Sequence, residues 1–428
     1  MDITISPSAL KGSVEIPASK SHTIRALIIA SLAEGTSIIK APLVSRDTEA
    51  CKKACSILGA DIQKTQDGLK ITGIAGAPSP PEEIIDVQNS GTTLYLLTAI
   101  AALTKGWTIF TGDKQIRRRS AQPLLEALNN LGAKAISSRN NGCAPLMISG
   151  PLQGGYTKLY SPTSQYLSAL LIACPMAEKE STIELTLLKE HPYIDMTLWW
   201  LNKQKIKYSR ENYKRFTILS GQKYTAFTEK ISGDYSSATF FLCAAAITGS
   251  DLTLHNLDYT DPQGDKKVLE ILKKMGADYS IDSKSNSITI NGPSKLKATD
   301  IDMSSIPDAL PALAATACYA EGTTRLYNAE HTRQKETDRI SVMTKELTKL
   351  GAKITEKPDG MEIHGPCPLR GGIAHSHEDH RIAMAIATAA LAAEAPITIK
   401  NAEAAEVTFP EFYEQLEKCT QNSSIKKE

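Results

Sequence analysis

What this chain lacks narrows the field first. A surplus of charge is missing: the formal net charge is +1 over 428 residues. No global field therefore draws it to nucleic acid or to an anionic membrane, and any anion it binds must be met by local groups of Lys and Arg. Long hydrophobic runs are missing too. The longest apolar stretches, Leu167 to Ala177 and Ile382 to Ala393, fall short of the ~18 residues a membrane span needs. The opening Met1-Asp2-Ile3-Thr4 has neither the basic nor the apolar region of a secretory signal, so residence in the cytoplasm is expected. The eight cysteines are scattered, and only Cys51 and Cys55 are close. No His or second Cys pair stands beside them, so no metal is expected and reduced thiols are.

What is present has the balance of a soluble globular protein, with 22 % charged and 42 % hydrophobic residues. The length exceeds one ordinary core, and two or more domains are expected. An internal repeat organises them. Leu58-Gly59-Ala60, Leu131-Gly132-Ala133, Met275-Gly276-Ala277 and Leu350-Gly351-Ala352 each end a helix-like pattern and precede a strand-like one. They recur roughly 70 residues apart, with one interval about double. A degenerate copy without the glycine, near Leu201 to Tyr208, fills that gap. A second glycine recurs after the strands, in Ile71-Thr72-Gly73, Ile148-Ser149-Gly150, Leu219-Ser220-Gly221, Ile290-Asn291-Gly292 and Ile363-His364-Gly365. The first set reads as helix C-caps and the second as turns. About six α/β units of roughly 70 residues follow, three to a domain.

Polar, anion-suited segments sit at the predicted helix starts. Pro17-Ala18-Ser19-Lys20-Ser21-His22-Thr23-Ile24-Arg25 follows a short strand and opens an apolar helix. Ser19 or Ser21 would cap it, and Lys20 and Arg25 add cations to a helix end that already favours anions. Asn89-Ser90-Gly91-Thr92-Thr93 and Ser161-Pro162-Thr163-Ser164-Gln165 repeat the arrangement. Arg117-Arg118-Arg119 precedes a helix pattern; such a run is usually a solvated face. Asp308 opens an Ala-rich helix, where it could be a first-turn acid. In Lys335-Glu336-Thr337-Asp338-Arg339, Lys335 and Arg339 would share a helix face, with Glu336 one turn from Arg339. Glu378-Asp379-His380-Arg381 precedes Ile382 to Ala393; no second ligand stands at metal spacing from His380. Each segment alone reads as a plain cap or an ion-paired helix. Together they place cations and hydroxyls at helix starts in both halves, a pattern suited to a transferase or ligase with two small anionic substrates.

In order and spacing these segments resemble the 5-enolpyruvylshikimate 3-phosphate synthases, enolpyruvyl transferases of the shikimate pathway. The Lys335-Glu336-Thr337-Asp338-Arg339 and Asp379-His380-Arg381-Ile382-Ala383-Met384 motifs carry most of the likeness, which spans nearly the whole chain. The related family acting on UDP-N-acetylglucosamine is less similar, since it follows the first lysine with Asn where this chain has Ser21. The resemblance implies an α/β fold of two inverse, barrel-like domains, each of three βαβαββ units, with the active site in the interdomain cleft. One domain would be residues 20 to 231, and the other would join residues 1 to 19 to 232 to 428. It implies transfer of the enolpyruvyl group of phosphoenolpyruvate to the 5-hydroxyl of shikimate 3-phosphate, with release of phosphate and no cofactor or metal. Lys20, Gly91, Arg119, Gln165, Arg339 and Arg381 would hold phosphoenolpyruvate. Lys20, Ser21, Arg25, Thr163, Ser164, Gln165, Asp308 and Lys335 would hold shikimate 3-phosphate. Asp308 would take the hydroxyl proton, Glu336 would protonate the methylene carbon, and Lys20 would shuttle protons. A monomer with no nucleic-acid or membrane partner is implied.

Six positions depart from the family pattern. Tyr95 replaces an Arg, Thr163 a Ser, Ser120 a Pro, His331 an Asn and Val407 a Lys. Glu190 stands where many relatives place a Ser that helps bind the 3-phosphate. A carboxylate there repels a phosphate unless a cation such as Lys189 or His191 intervenes, or unless it points away. A different anionic alcohol as acceptor, or a silent anion-binding relative, are the alternatives this leaves.

Overall fold

The computed structural model describes residues 1–427. It divides into two compact units, Met1–Pro17 with Ser232–Glu428 (the first unit) and Ala18–Ile231 (the second), each around its own apolar core.

Each unit holds three sheets wired in one way. In residues 85–149, strand Ile85–Asp86 runs parallel to Trp107–Thr111, which pairs antiparallel with Leu146–Ser149 and through it with Lys134–Ser137. A parallel pair needs a crossover, and helix Gly91–Ala101 supplies it. Helix Gln122–Asn130 then leads into the closing hairpin. This is the expected βαβαββ unit, and the same strand order recurs in residues 155–218. Other units take a strand from far along the chain. Thr228–Lys230 lies parallel to Thr36–Lys40, and Ser13–Glu15 lies parallel to Asp251–His255. Ile3–Ile5 sits between Ile397–Lys400 and Ile425–Lys427, antiparallel to both. No sheet among the described residues closes on itself, and each keeps the strand order of the expected unit.

Every βαβαββ repeat has one helix buried all round and one amphipathic helix. Lys20–Leu32, Gly91–Ala101, Ser164–Ala173, Tyr235–Thr248, Leu310–Ala317 and His380–Ala390 are the buried ones. Their apolar residues follow no single stripe because every side meets protein. Lys267–Lys274 shows the other kind, with Val268, Leu269, Ile271 and Leu272 inward and Lys273 and Lys274 in solvent. No helix among the described residues is long and apolar enough to cross a membrane.

The two glycine sets do different work. Gly59, Gly132, Gly276 and Gly351 lie at φ between 90° and 111°, and the next residue's N–H reaches back five positions, as in Ala60 to Cys55 at 3.2 Å and Ala352 to Leu347 at 3.0 Å. That is the helix-ending motif expected of them. The glycineless copy makes the same bond, Ile206 to Leu201 at 3.0 Å, and forces Lys205 to φ 55°. In the second set Gly221, at φ 66° with open space around it, fits the expected turn, whereas Gly73, Gly150, Gly292 and Gly365 answer to space. A Cβ on Gly73 would lie 2.2 Å from the Ala33 carbonyl oxygen, and one on Gly150 2.2 Å from that of Ala102. These glycines let a strand end pass against the end of a buried helix.

Lys205→Gly should therefore stabilise the second unit by about 1 kcal/mol, because the left-handed penalty it removes exceeds the extra freedom given to the unfolded chain. Urea unfolding of the two proteins side by side checks this; an unchanged or lower midpoint would refute it.

Candidate active site

Several of the residues singled out in the sequence sit at helix starts, where backbone N–H groups lack partners within the helix. In the second unit, Ser19 caps Lys20–Leu32 and Ser90 caps Gly91–Ala101. Lys20 opens the first of these helices, and its Nζ lies 2.9 Å from Oδ2 of Asp47. Asp47 is a partner the sequence reading missed, although it lies inside the Ser45–Thr48 capping box of the next helix, Arg46–Ile57. Ser21 is half-buried, and its carbonyl accepts from Arg25 Nη1 at 3.0 Å.

Arg25 is 1 % exposed. Its other donors reach the Thr197 hydroxyl at 2.9 Å, the Tyr193 carbonyl at 3.2 Å and the Ser168 hydroxyl at 3.4 Å. Burial lowers its pKa to about 10, so it remains a cation near neutral pH. No carboxylate stands among these acceptors. A buried guanidinium met only by neutral oxygens is suited to an anionic ligand.

Of the arginine run, Arg117 and Arg118 are exposed and Arg119 is half-buried. A Cβ on Gly91 would sit 2.5 Å from Arg119 Nη1, so the glycine is what lets this guanidinium come against the helix start. Two hydroxyls hold the following residue: Tyr95 Oη and Tyr166 Oη donate to the Ser120 carbonyl at 3.1 and 2.5 Å. Asn89 is tied to the same loop through Asp113 at 2.6 Å and Gln115 at 2.8 Å. Thr163 caps helix Ser164–Ala173. The Oε1 atom of Gln165 is buried and receives no hydrogen bond.

In the first unit the charges gather on Arg339, which is 1 % exposed. Its Nη1 donates to Asp308 Oδ1 at 2.8 Å, its Nη2 to Glu336 Oε2 at 2.5 Å and its Nε to Asp379 Oδ2 at 2.9 Å. Arg381 Nη2 donates to the other oxygen of Asp308 at 2.9 Å. Asp379 caps helix His380–Ala390 and also accepts from Thr337 at 3.0 Å. His380 is buried at the first position of that helix. One expectation fails. Lys335 to Asp338 precede helix Arg339–Lys349, which Asp338 caps, so Lys335 and Arg339 do not share a helix face. The Glu336–Arg339 pair forms because the chain curls back before the helix begins.

Burial raises the pKa of Asp308, but Arg381, Lys335 and Arg339 outweigh it and hold the carboxyl well below the usual carboxylate range. For Arg339, burial opposes the charge and Asp379, Glu336 and Asp308 more than restore it. The sequence reading also missed Asp265. It is buried on the short turn Gly264–Lys266 and hydrogen-bonded by the Ser236 hydroxyl. Burial first, then the charge of Asp308, pushes its pKa up to about 7.

A family model described as EPSP synthase (3-phosphoshikimate 1-carboxyvinyltransferase) matches residues 5–416. This chain belongs to the EPSP synthase family. It is 50 % identical over 419 residues to the 3-phosphoshikimate 1-carboxyvinyltransferase of Ruminiclostridium cellulolyticum, covering 98 % of each chain. It is 44 % identical to that of Methanosarcina acetivorans, covering 97 % of each. A solved EPSP synthase from Acinetobacter baumannii superposes with a TM-score of 0.84 at 30 % identity and 99 % coverage of both chains.

Against that family, the departures have visible consequences. Tyr95 is buried and braces Ser120. His331 is buried beside the turn that leads to Lys335. Glu190 does not point away. Its Oε2 accepts from the Ser164 hydroxyl at 2.8 Å, the Ser164 N–H at 3.0 Å and the Thr163 hydroxyl at 3.1 Å.

Asp265 gives this site a signature in stability. With its pKa raised, the folded state keeps a proton that the unfolded chain releases, so stability falls as pH rises from about 4 to about 7. Asp265→Asn should therefore gain about 2 kcal/mol over the wild type between pH 5 and pH 8. Denaturant midpoints at the two pH values test this; a gain that does not grow with pH would contradict it.

Proposed function

We propose that this chain transfers the enolpyruvyl group of phosphoenolpyruvate to the 5-hydroxyl of shikimate 3-phosphate and releases phosphate, each compact unit being one enolpyruvyl-transferase domain. The observation that carries the reading is the buried cluster in which Asp308 bridges Arg339 and Arg381, in a chain of the EPSP synthase family. The roles are assigned as the motifs imply. Lys20, Gly91, Arg119, Gln165, Arg339 and Arg381 serve phosphoenolpyruvate. Ser21, Arg25, Thr163, Ser164, Lys335 and Asp308 serve the acceptor, together with Lys20 and Gln165.

The geometry supports a sequence of steps. Arg339 and Arg381 present planar forks suited to a carboxylate or phosphate, but Asp308 already takes one donor of each. An incoming anion competes for those donors. Asp308 then loses part of the stabilisation that depresses its pKa, and becomes a better base as the substrate arrives. It removes the 5-hydroxyl proton while that oxygen bonds to the central carbon of the enolpyruvyl group. Glu336 delivers a proton to the methylene carbon, giving a tetrahedral adduct that the surrounding cations stabilise more than the ground state. The carbon–oxygen bond to phosphate then breaks with its electron pair leaving on phosphate, the Glu336 carboxylate takes a proton back from the methyl group, and the double bond is restored. Lys20, which pairs with Asp47, is assigned the role of further proton carrier.

Phosphate release from phosphoenolpyruvate should require shikimate 3-phosphate. Asp308→Asn and Glu336→Gln should each lower kcat by about 10² to 10⁴, with circular dichroism showing the fold retained. Wild-type protein that binds phosphoenolpyruvate yet releases no phosphate with this acceptor would defeat the reading.

A further inference from the structure

Glu190 is an anion held by Thr163 and Ser164, donors that the function above assigns to the acceptor. Its side chain is 2 % exposed, and three donors of Thr163 and Ser164 converge on one of its oxygens. The backbone directs it there from a left-handed conformation, φ 61° and ψ 44°, which disfavours a residue with a side chain. His191 offers it no cation in this arrangement, because its ring stacks on Tyr213 at 4.2 Å with 2° between the planes. One turn along the same helix, Ser168 accepts from Arg25, the buried guanidinium with no carboxylate partner.

We propose that Glu190 is a specificity-determining residue, a tethered anion that occupies the place of the acceptor's phosphate and must swing out before a phosphorylated acceptor can bind. The inference rests on the function proposed above. A phosphate entering beside Arg25 needs the hydroxyls of Thr163 and Ser164, and the carboxylate both consumes those donors and repels the newcomer. An acceptor bearing a plain hydroxyl at that position meets a hydrogen-bond acceptor instead. The chain therefore discriminates less between a phosphorylated acceptor and its unphosphorylated form than a protein with a small neutral residue at 190.

Isothermal titration of the full chain tests this with shikimate 3-phosphate, inorganic phosphate and shikimate as separate probes. Glu190→Ser should bind shikimate 3-phosphate and inorganic phosphate about ten-fold more tightly than wild type, the effect of removing a like charge at close range, and shikimate no more tightly. Glu190→Gln keeps the side-chain volume and removes the charge; it should shift in the same direction by less and covers the case in which the serine variant does not fold. In steady-state assays the gain should fall on KM for shikimate 3-phosphate and not on KM for phosphoenolpyruvate, a split that a merely structural role would not produce. Unchanged or weaker binding of both phosphates in the folded variants would overturn the proposal. A wild type without turnover whose variants still gain phosphate affinity would count against the reaction and leave the role of Glu190 standing.

Discussion

The first unit's chemistry depends on one buried guanidinium. Arg339 cannot be sequestered alone, because a charge removed from water is tolerated only with close partners. Asp308, Glu336 and Asp379 supply them from three separate segments of the chain. Each contact is thus a positional constraint as well as a charge pair. The start of helix Leu310–Ala317, the loop before helix Arg339–Lys349 and the cap of helix His380–Ala390 are pinned to a common point. The two groups to which the proposed reaction gives proton-transfer roles both accept from Arg339, and Asp308 accepts from Arg381 as well.

The scaffold explains why such residues gather at helix ends. In every repeat one helix is buried on all sides, so a polar group on its flank needs a protein partner, as Arg25 and Ser168 find in each other. The first turn is different, because a cap already exists there and unpaired N–H groups await an acceptor. Ser19, Ser90, Thr163 and Asp379 fill these caps. Glycine then sets how near a neighbouring side chain may come, as Gly91 does for Arg119.

Much of this was legible in the sequence. Periodic glycines disclosed the repeat because each helix ends on a left-handed residue that glycine adopts freely, and the glycineless copy was found by spacing alone. The clustering of cations at helix starts was visible, as were the residues of the Arg339 cluster. Less visible was what lay between segments. Asp47 and Asp265 look like ordinary acids in sequence and acquire meaning only through Lys20 and Asp308, which are distant along the chain. Four of the second glycine set mark close backbone approach instead of a turn, a difference hidden because close approach and positive φ leave the same letter. Lys335 to Asp338 resembled a helix face because the i,i+3 and i,i+4 spacing of charges fits a helix and a tight loop equally well. The direction of Glu190 depends on one backbone torsion, and no pattern of residue types states it.

The pairing of Ile3–Ile5 with Ile397–Lys400 and Ile425–Lys427 has a temporal side. A ribosome makes the central strand of that sheet first and both of its neighbours last. Ser13–Glu15 likewise waits for Asp251–His255, until the whole second unit has been synthesised. During that interval Ile3, Ile5 and Val14, all buried in the finished protein, lack the strands they pair with. The second unit is contiguous and can fold as it emerges, whereas the first must hold its opening strands in reserve and close a loop of nearly the entire chain. Order of synthesis and order of pairing are thus reversed at Ile3–Ile5, which is made long before both of its neighbours.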